Sequence, residues 1–429
     1  MKGSVAIATL GCKTNQFESA ALQQRLEQAG YRIVPFEAGA DLVLVNTCTV
    51  TAATDSQSRN LVRRARRLNG ACRVVVTGCY AQVDPEALRS IPGVCLVIGN
   101  EEKSSLLDLL EQGESGVLVG DIRDQAVASV PSVSSFADRS RAFVQIQNGC
   151  DAFCSYCIIP YARGRSRSVP ADEVVGQVAT LTASGYPEIV LTGIHIGGYG
   201  LDLTPATDLL GLLRRLGREV RVPRLRLGSL EPTEISAALI DAIAASDTIC
   251  PHLHIPLQSG SDSVLARMNR HYDMAFFSDL LTRLTGRIDD VAIGLDVIVG
   301  FPGETDAEFA ETCALIDSLP VSHLHVFPFS RRPGTPAATL PGQLPGALVK
   351  ERAARLRRLG EEKLRQFAAR FVGRDVDVVV EGGGEGTLRR GLTRHYLNVR
   401  FAGGESLVGT LARVRISGSE GAELRGELL

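Results

Sequence analysis

Cys150-Asp151-Ala152-Phe153-Cys154-Ser155-Tyr156-Cys157 is the stretch on which the reading of the chain turns. Three cysteines in C-x3-C-x2-C spacing follow the apolar run Ala142-Phe143-Val144-Gln145-Ile146. The pattern predicts a strand running into a short loop, with three thiolates turned toward one point. Soft thiolates grouped this way select zinc, copper(I) or an iron–sulfur cluster. Clusters normally take four cysteines, so three leave one metal position open, as at a catalytic zinc. The same spacing fits a structural zinc whose fourth ligand is His195 or His254.

Upstream of this loop, apolar runs alternate with helical patterns. The runs are Ser4 to Leu10, Asp41 to Asn46, Arg73 to Gly78 and Val94 to Ile98, with helices expected from Phe17 to Ala29, from about Thr54 to Leu68, and from Asp84-Pro85. Continuous apolar runs separated by helices indicate a parallel sheet covered on both faces. Cys12, Cys48 and Cys79 each follow such a run, at the carboxyl edge where open α/β sheets gather their ligands. Cys95 lies within a strand and Cys72 just before one, so both read as buried thiols; three unrelated buried cysteines remain the alternative for the other set.

Downstream, serine and proline between Ala126 and Arg141 mark a linker. Strand patterns then recur at Glu188 to Thr192, Arg224 to Gly228, His252 to Ile255, Val291 to Ile298 and His323 to Phe327. With helices between them, such as Ile235 to Ala245 and Glu304 to Leu319, they predict a partial (β/α)6 barrel with its site at the strand carboxyl ends. Polar residues there suit a nucleoside-like cofactor: Thr192 and Gly193, Ser229 and Glu231, Gln258, and Asp296. Each alone fits a turn or cap equally well. His252, His254, His323 and His325 alternate along strands and read as mostly structural, as do Cys250 and Cys313. A long charged helix from Leu344 to Phe371 leads to a small all-β barrel, with strand-like runs at Asp375 to Val380, Leu397 to Phe401, Ser406 to Val408 and Ala412 to Ile416.

The residues after the three cysteines, Ile158-Ile159-Pro160-Tyr161-Ala162-Arg163-Gly164, make the chain resemble the radical S-adenosylmethionine enzymes, and within them the methylthiotransferases. Leu10-Gly11-Cys12-Lys13-Thr14-Asn15, Asn46 to Thr51, His254 to Ser261, Asp296 to Glu304 and Gly391 to Val399 resemble further motifs of that family, in the same order. The resemblance implies a Rossmann-like cluster domain at 1–125, a linker at 126–140, a radical domain at 141–371, and a TRAM domain, an OB-like barrel, at 372–429. It also implies two [4Fe-4S] clusters. The one on Cys150, Cys154 and Cys157 would cleave S-adenosylmethionine to a radical that removes a substrate hydrogen; the one on Cys12, Cys48 and Cys79 would present sulfur.

The expected substrate is adenosine 37 in the anticodon stem-loop of tRNA. The motifs look most like the bacterial threonylcarbamoyladenosine branch, with the isopentenyladenosine branch next and a ribosomal-protein aspartate as a third choice. An electron donor such as flavodoxin and a sulfur source are the expected partners. A non-enzymatic iron–sulfur sensor that binds RNA is the rival from another class, and the nucleoside-like pocket argues against it.

At 429 residues, with 45% apolar and 22% charged residues, the chain is ordinary globular protein. Ten cysteines are too sparse for a disulfide scaffold. Leu10-Gly11-Cys12 faintly resembles a lipoprotein cleavage site, but only Lys2 and a short apolar run precede it. No apolar run is long enough to span a membrane, so a cytoplasmic location is expected. A net charge of −2 denies RNA a generally basic surface. Contact would rest on local patches: Arg63, Arg64, Arg66 and Arg67; Arg163, Arg165 and Arg167; or Arg389, Arg390 and Arg394 with Tyr396 for stacking.

Overall fold

The computed structural model describes residues 2–125, 132–136, 139–384 and 386–429, with Asp124 described by its backbone alone. Most of the expected linker at 126–140 lies outside the described residues. The first sheet contains β1 (Ser4–Thr9), β2 (Arg32–Ile33), β3 (Leu42–Thr47), β4 (Arg73–Gly78), β5 (Val94–Ile98) and β6 (Gly116–Leu118). All its pairings are parallel, in the order β2-β1-β3-β4-β5-β6. Alternation on β3 explains its cover: Val43 and Val45 join one apolar cluster, Leu42 and Leu44 the other. The helix Ala52–Leu68 begins with a capping box in which Thr51 and Thr54 satisfy each other's backbone. Two thin strands, β2 and β6, escape the sequence reading because their apolar stretches, Ile33-Val34 and Val117-Leu118-Val119, are only two and three residues long.

β7 (Ala142–Gln145) enters the second unit, and β8 (Gln147–Asn148) pairs with β9 (Arg167–Ser168) across the base of the cysteine loop. The remaining strands are β10 (Ile189–Thr192), β11 (Leu225–Leu227), β12 (His252–Gln258), β13 (Ala292–Val299) and β14 (His323–Pro328). They form two parallel triplets, β11-β10-β7 and β12-β13-β14, joined by single parallel bridges Leu225–Ile249 and Ser229–His254. The result is a six-stranded open arc, as the spacing of the apolar runs predicts.

The helix Gly346–Ala369 leads to a closed barrel of β15 (Asp375–Glu381), β16 (Leu388–Thr393), β17 (Asn398–Ala402), β18 (Leu411–Glu420) and β19 (Glu423–Leu428), in the order β15-β16-β17-β19-β18. Closure removes exposed strand edges. Residues Ser406 to Val408, expected as a strand, instead overlap the 3-10 turn Glu405–Leu407. Gly404 and Gly409 bracket that apolar pair too closely for a strand. The small barrel sits at the amino ends of the larger barrel's strands. Arg226 donates to the carbonyls of Thr393 and Arg394 at 3.1 and 3.0 Å, and Arg394 donates to those of Asp247 and Ile249. Buried Glu188 accepts from Arg226 at 2.7 Å and balances its charge.

Candidate active site

Cys12, Cys48 and Cys79 follow β1, β3 and β4, which are adjacent in the sheet, so parallel register delivers all three to one edge. Gly11 shows how closely. Its φ is +93°, and a Cβ built on it would stand 2.8 Å from Cys48 Sγ. Cys48 and Cys79 are buried, and Cys12 is exposed. Burial first, then the neighbouring Cys79, pushes the Cys48 thiol up to about 12. Three sulfurs brought to one edge, with the Cys48 thiol resisting ionisation, suit a cation that would hold them as thiolates. The donor set therefore fits a soft metal centre with one open position.

The second set lies on the loop between β8 and the short helix Ile159–Arg163. Crowding shapes it: Gly149 has φ +77°, and a Cβ there would fall 1.7 Å from the Arg165 carbonyl oxygen. Phe153 also takes a left-handed φ, of +44°. The Cys150 N–H donates to the Gly164 carbonyl at 3.1 Å, and the Cys157 N–H to that of Cys154 at 2.9 Å. Burial, with Cys154 and Cys150 adding, lifts the Cys157 thiol to about 12 against the pull of the Ile159 N–H. This set fits a soft metal centre by the same chemistry.

Arg270 and Glu234, which the sequence reading did not single out, join His195 and Glu231 around this set. Arg270 lies 3.4 Å from Cys154 Sγ and forms an ion pair with Glu231. His195 Nδ1 stands 3.7 Å from Cys150 Sγ, and its Nε2 pairs with Glu234 at 2.6 Å. Burial opposes the charged imidazole, but hydrogen bonds to Cys150 and Glu234 outweigh it and lift His195 to about 10. His254 is held by Asp296 at 2.9 Å instead.

A cleft opens beside the second set, lined by Cys157, Gln258, Asp296, Ile298, Phe327 and Ser330, with Val50 and Thr51 from the first sheet domain. Gln258 is aimed into it by a bulge between Pro256 and Gln258 and a φ of +65°. Asp296 is gripped by His254 and by His325 at 3.2 Å. Burial raises its pKa, but these two hydrogen bonds prevail and keep the carboxyl well below the usual range. Thr192 ends β10 and Gly193 follows it, before His195; exposed Ser229 bridges to His254, and Glu231 faces Arg270. These four occupy neighbouring strand ends rather than the cleft wall. Across the cleft, Arg332 donates to Asp55 at 2.6 Å and to Thr49 at 2.7 Å, and the Ala52 N–H donates to Ser330 at 2.9 Å. These bonds join the two units over the site.

Four of the residues expected at an RNA surface have other places. Arg163 is fully buried and donates to Cys79 Sγ at 3.1 Å, to Glu18 and to Asn15. Arg167 is buried and donates to the Arg163 carbonyl at 2.8 Å. Arg394 binds barrel carbonyls, and Tyr396 stacks on His252 with ring centroids 4.6 Å apart. A charged motif beside a turn reads as surface until the packing above it is known. Arg389 is half-buried and donates to the carbonyls of Gly386, Leu388 and Gly404. Arg165 and Arg390 are exposed.

Residues 4–99 match the family model described as "Uncharacterized protein family UPF0004", and residues 144–316 match the Radical SAM superfamily. The threonylcarbamoyladenosine tRNA methylthiotransferase MtaB of Bacillus subtilis (strain 168) is 40% identical, over 96% of this chain and 93% of its own length. That of Aquifex aeolicus is 38% identical, over 96% and 100%. The tRNA-2-methylthio-N(6)-dimethylallyladenosine synthase of Geobacter metallireducens is 35% identical, over 98% and 97%. Among solved structures, the radical S-adenosylmethionine methyltransferase TsrM from Kitasatospora setae superposes with a TM-score of 0.58 at 16% identity, over 89% of this chain and 79% of that one. That likeness is one of fold.

Proposed function

The chain belongs to the radical S-adenosylmethionine methylthiotransferases, and on that premise we propose its substrate and the division of labour between its two cysteine sets. The enzyme adds a methylthio group at C2 of threonylcarbamoyladenosine 37 in tRNA. The observation that carries this reading is the pairing of two separate three-cysteine sets, each at the carboxyl edge of a parallel sheet, in a chain alike end to end to enzymes of that name.

The reaction replaces a C–H bond that no side-chain base ionises near neutral pH, so a cofactor must carry the hard step. Cys150, Cys154 and Cys157 would hold a [4Fe-4S] cluster, which would supply one-electron cleavage of S-adenosylmethionine, and Cys12, Cys48 and Cys79 would hold a second, which would supply the sulfur. The protein's own groups orient and insulate. Gln258 and Asp296 offer polar contacts to the cofactor nucleoside, while Ile298 and Phe327 form an apolar wall. Glu231 fixes Arg270 beside Cys154. The bonds from Arg332 and to Ser330 hold the two units together over the cleft. Thr192, Gly193 and Ser229 lie at strand ends suited to the rest of the cofactor.

Among the described residues no helix is long and apolar enough to cross a membrane. A cytoplasmic location, a flavodoxin-type electron donor and a separate sulfur source complete the proposal. Anaerobically reconstituted protein should hold about eight irons and convert threonylcarbamoyladenosine in a tRNA anticodon stem-loop to its methylthio form. Replacing Cys150, Cys154 and Cys157 by alanine should halve the iron and abolish deoxyadenosine. Replacing Cys12, Cys48 and Cys79 should abolish product alone. Stoichiometric zinc without iron absorbance would refute the reading.

A further inference from the structure

Arg163 is 0% exposed, an expensive place for a guanidinium. Its partners explain only part of its charge. Glu18 accepts from Arg163 and also from the buried Lys103, so this island holds two cations and one carboxylate. Asn15 is neutral, and the remaining direction of the guanidinium, through Nε, is toward Cys79 Sγ at 3.1 Å. A neutral thiol accepts hydrogen bonds weakly and leaves one positive charge unbalanced. A sulfur anion there satisfies both.

The backbone of this segment meets the other cysteine set. Arg163 closes the helix that follows Cys157, the next residue's carbonyl accepts the Cys150 N–H, and Arg167 fixes the Arg163 carbonyl. One residue thus spans from the radical-type loop to a sulfur of the other set.

We propose that Arg163 is a positioning residue for the amino-terminal cluster, setting its reduction potential by an N–H···S bond and a buried positive charge while tying its position to the Cys150 loop. The proposal rests on the reading of Cys12, Cys48 and Cys79 as cluster ligands. Hydrogen bonds to sulfur and nearby positive charge stabilise the reduced, more negative state of a cluster and raise its potential.

The test uses full-length protein with Cys150, Cys154 and Cys157 replaced by alanine, so that one cluster reports. After anaerobic reconstitution, iron is counted and the cluster is titrated electrochemically with EPR detection. Arg163→Gln should keep the iron and shift the midpoint to more negative potential, and Arg163→Lys should recover part of that shift. Glu18→Gln removes a balancing negative charge, keeps Arg163, and should shift the midpoint the opposite way. If Arg163→Gln loses its iron, the Glu18→Gln result decides alone. Unmoved midpoints in iron-replete variants would overturn the proposal and leave the cluster reading standing. No iron in the parent would overturn that reading, and the proposal with it.

Discussion

Gly11 shows how one residue can govern a metal centre without touching the metal. Its positive φ and the 2.8 Å between a built Cβ and Cys48 Sγ leave no room for a side chain. Gly11→Ala should therefore splay Cys12 from Cys48. We expect reconstituted iron to fall from about eight per chain to about four, with S-adenosylmethionine cleavage retained and methylthio product lost. Full iron and full product in that variant would contradict the geometry. The sequence groups Cys150, Cys154 and Cys157 by their spacing on one loop, and Cys12, Cys48 and Cys79 because each follows an apolar run and parallel register brings those strand ends together. Arg163, Arg270 and Arg332 were not legible in their roles. Each finds its partner through tertiary packing, and Arg332 and Asp55 stand 277 residues apart. No local spacing encodes such a pair.

At the scale of elements, the junction between the small barrel and the larger one is tuned by buried imidazoles. Burial, and then the charge of Arg226, drives the His252 pKa well below its usual value. Burial, against a hydrogen bond that the ring donates to the Tyr396 backbone carbonyl, lowers His323 to about 4. Burial also takes His395 to about 4, against the pull of Asp290. These histidines would titrate near 6.5 once unfolded. Between pH 6.5 and 4 the unfolded state then binds more protons, so their contribution is present above that window and is lost as pH falls through it. Thermal unfolding and backbone hydrogen exchange at pH 7.5 and 5 should show weakened protection in β12, β14 and the 393–397 turn before the sheet cores open. Equal protection at both pH values would show that these imidazoles do not couple to the junction. The sequence conveyed the existence of this barrel but not all its strands. β16 and β19 carry Arg389 and Arg390, or Glu423, Arg425 and Glu427, in place of an apolar run. Their burial comes from closure, a property of the whole barrel.

For the whole molecule, a charge of −2 means that tRNA must be held by a few local cations. Of the residues expected to do so, Arg63, Arg64, Arg67, Arg165 and Arg390 remain exposed, while Arg394 and Tyr396 dock one barrel on the other. Replacing Arg165 and Arg390 together by alanine should weaken tRNA binding and reduce the salt slope of log affinity by about 2, with thermal stability little changed. Arg394→Ala should instead lower stability. An unaltered slope in the double variant would move the RNA surface elsewhere. The most direct test is mass spectrometry of the nucleosides of tRNA from a strain lacking this gene, complemented with the intact chain, with Cys12→Ala or with Cys150→Ala. The predicted result is loss of 2-methylthio-N6-threonylcarbamoyladenosine with accumulation of its unthiolated precursor, reversed only by the intact chain. Normal levels of that nucleoside in the deletion strain, or a loss confined to the methylthio-dimethylallyladenosine of other tRNAs, would contradict it.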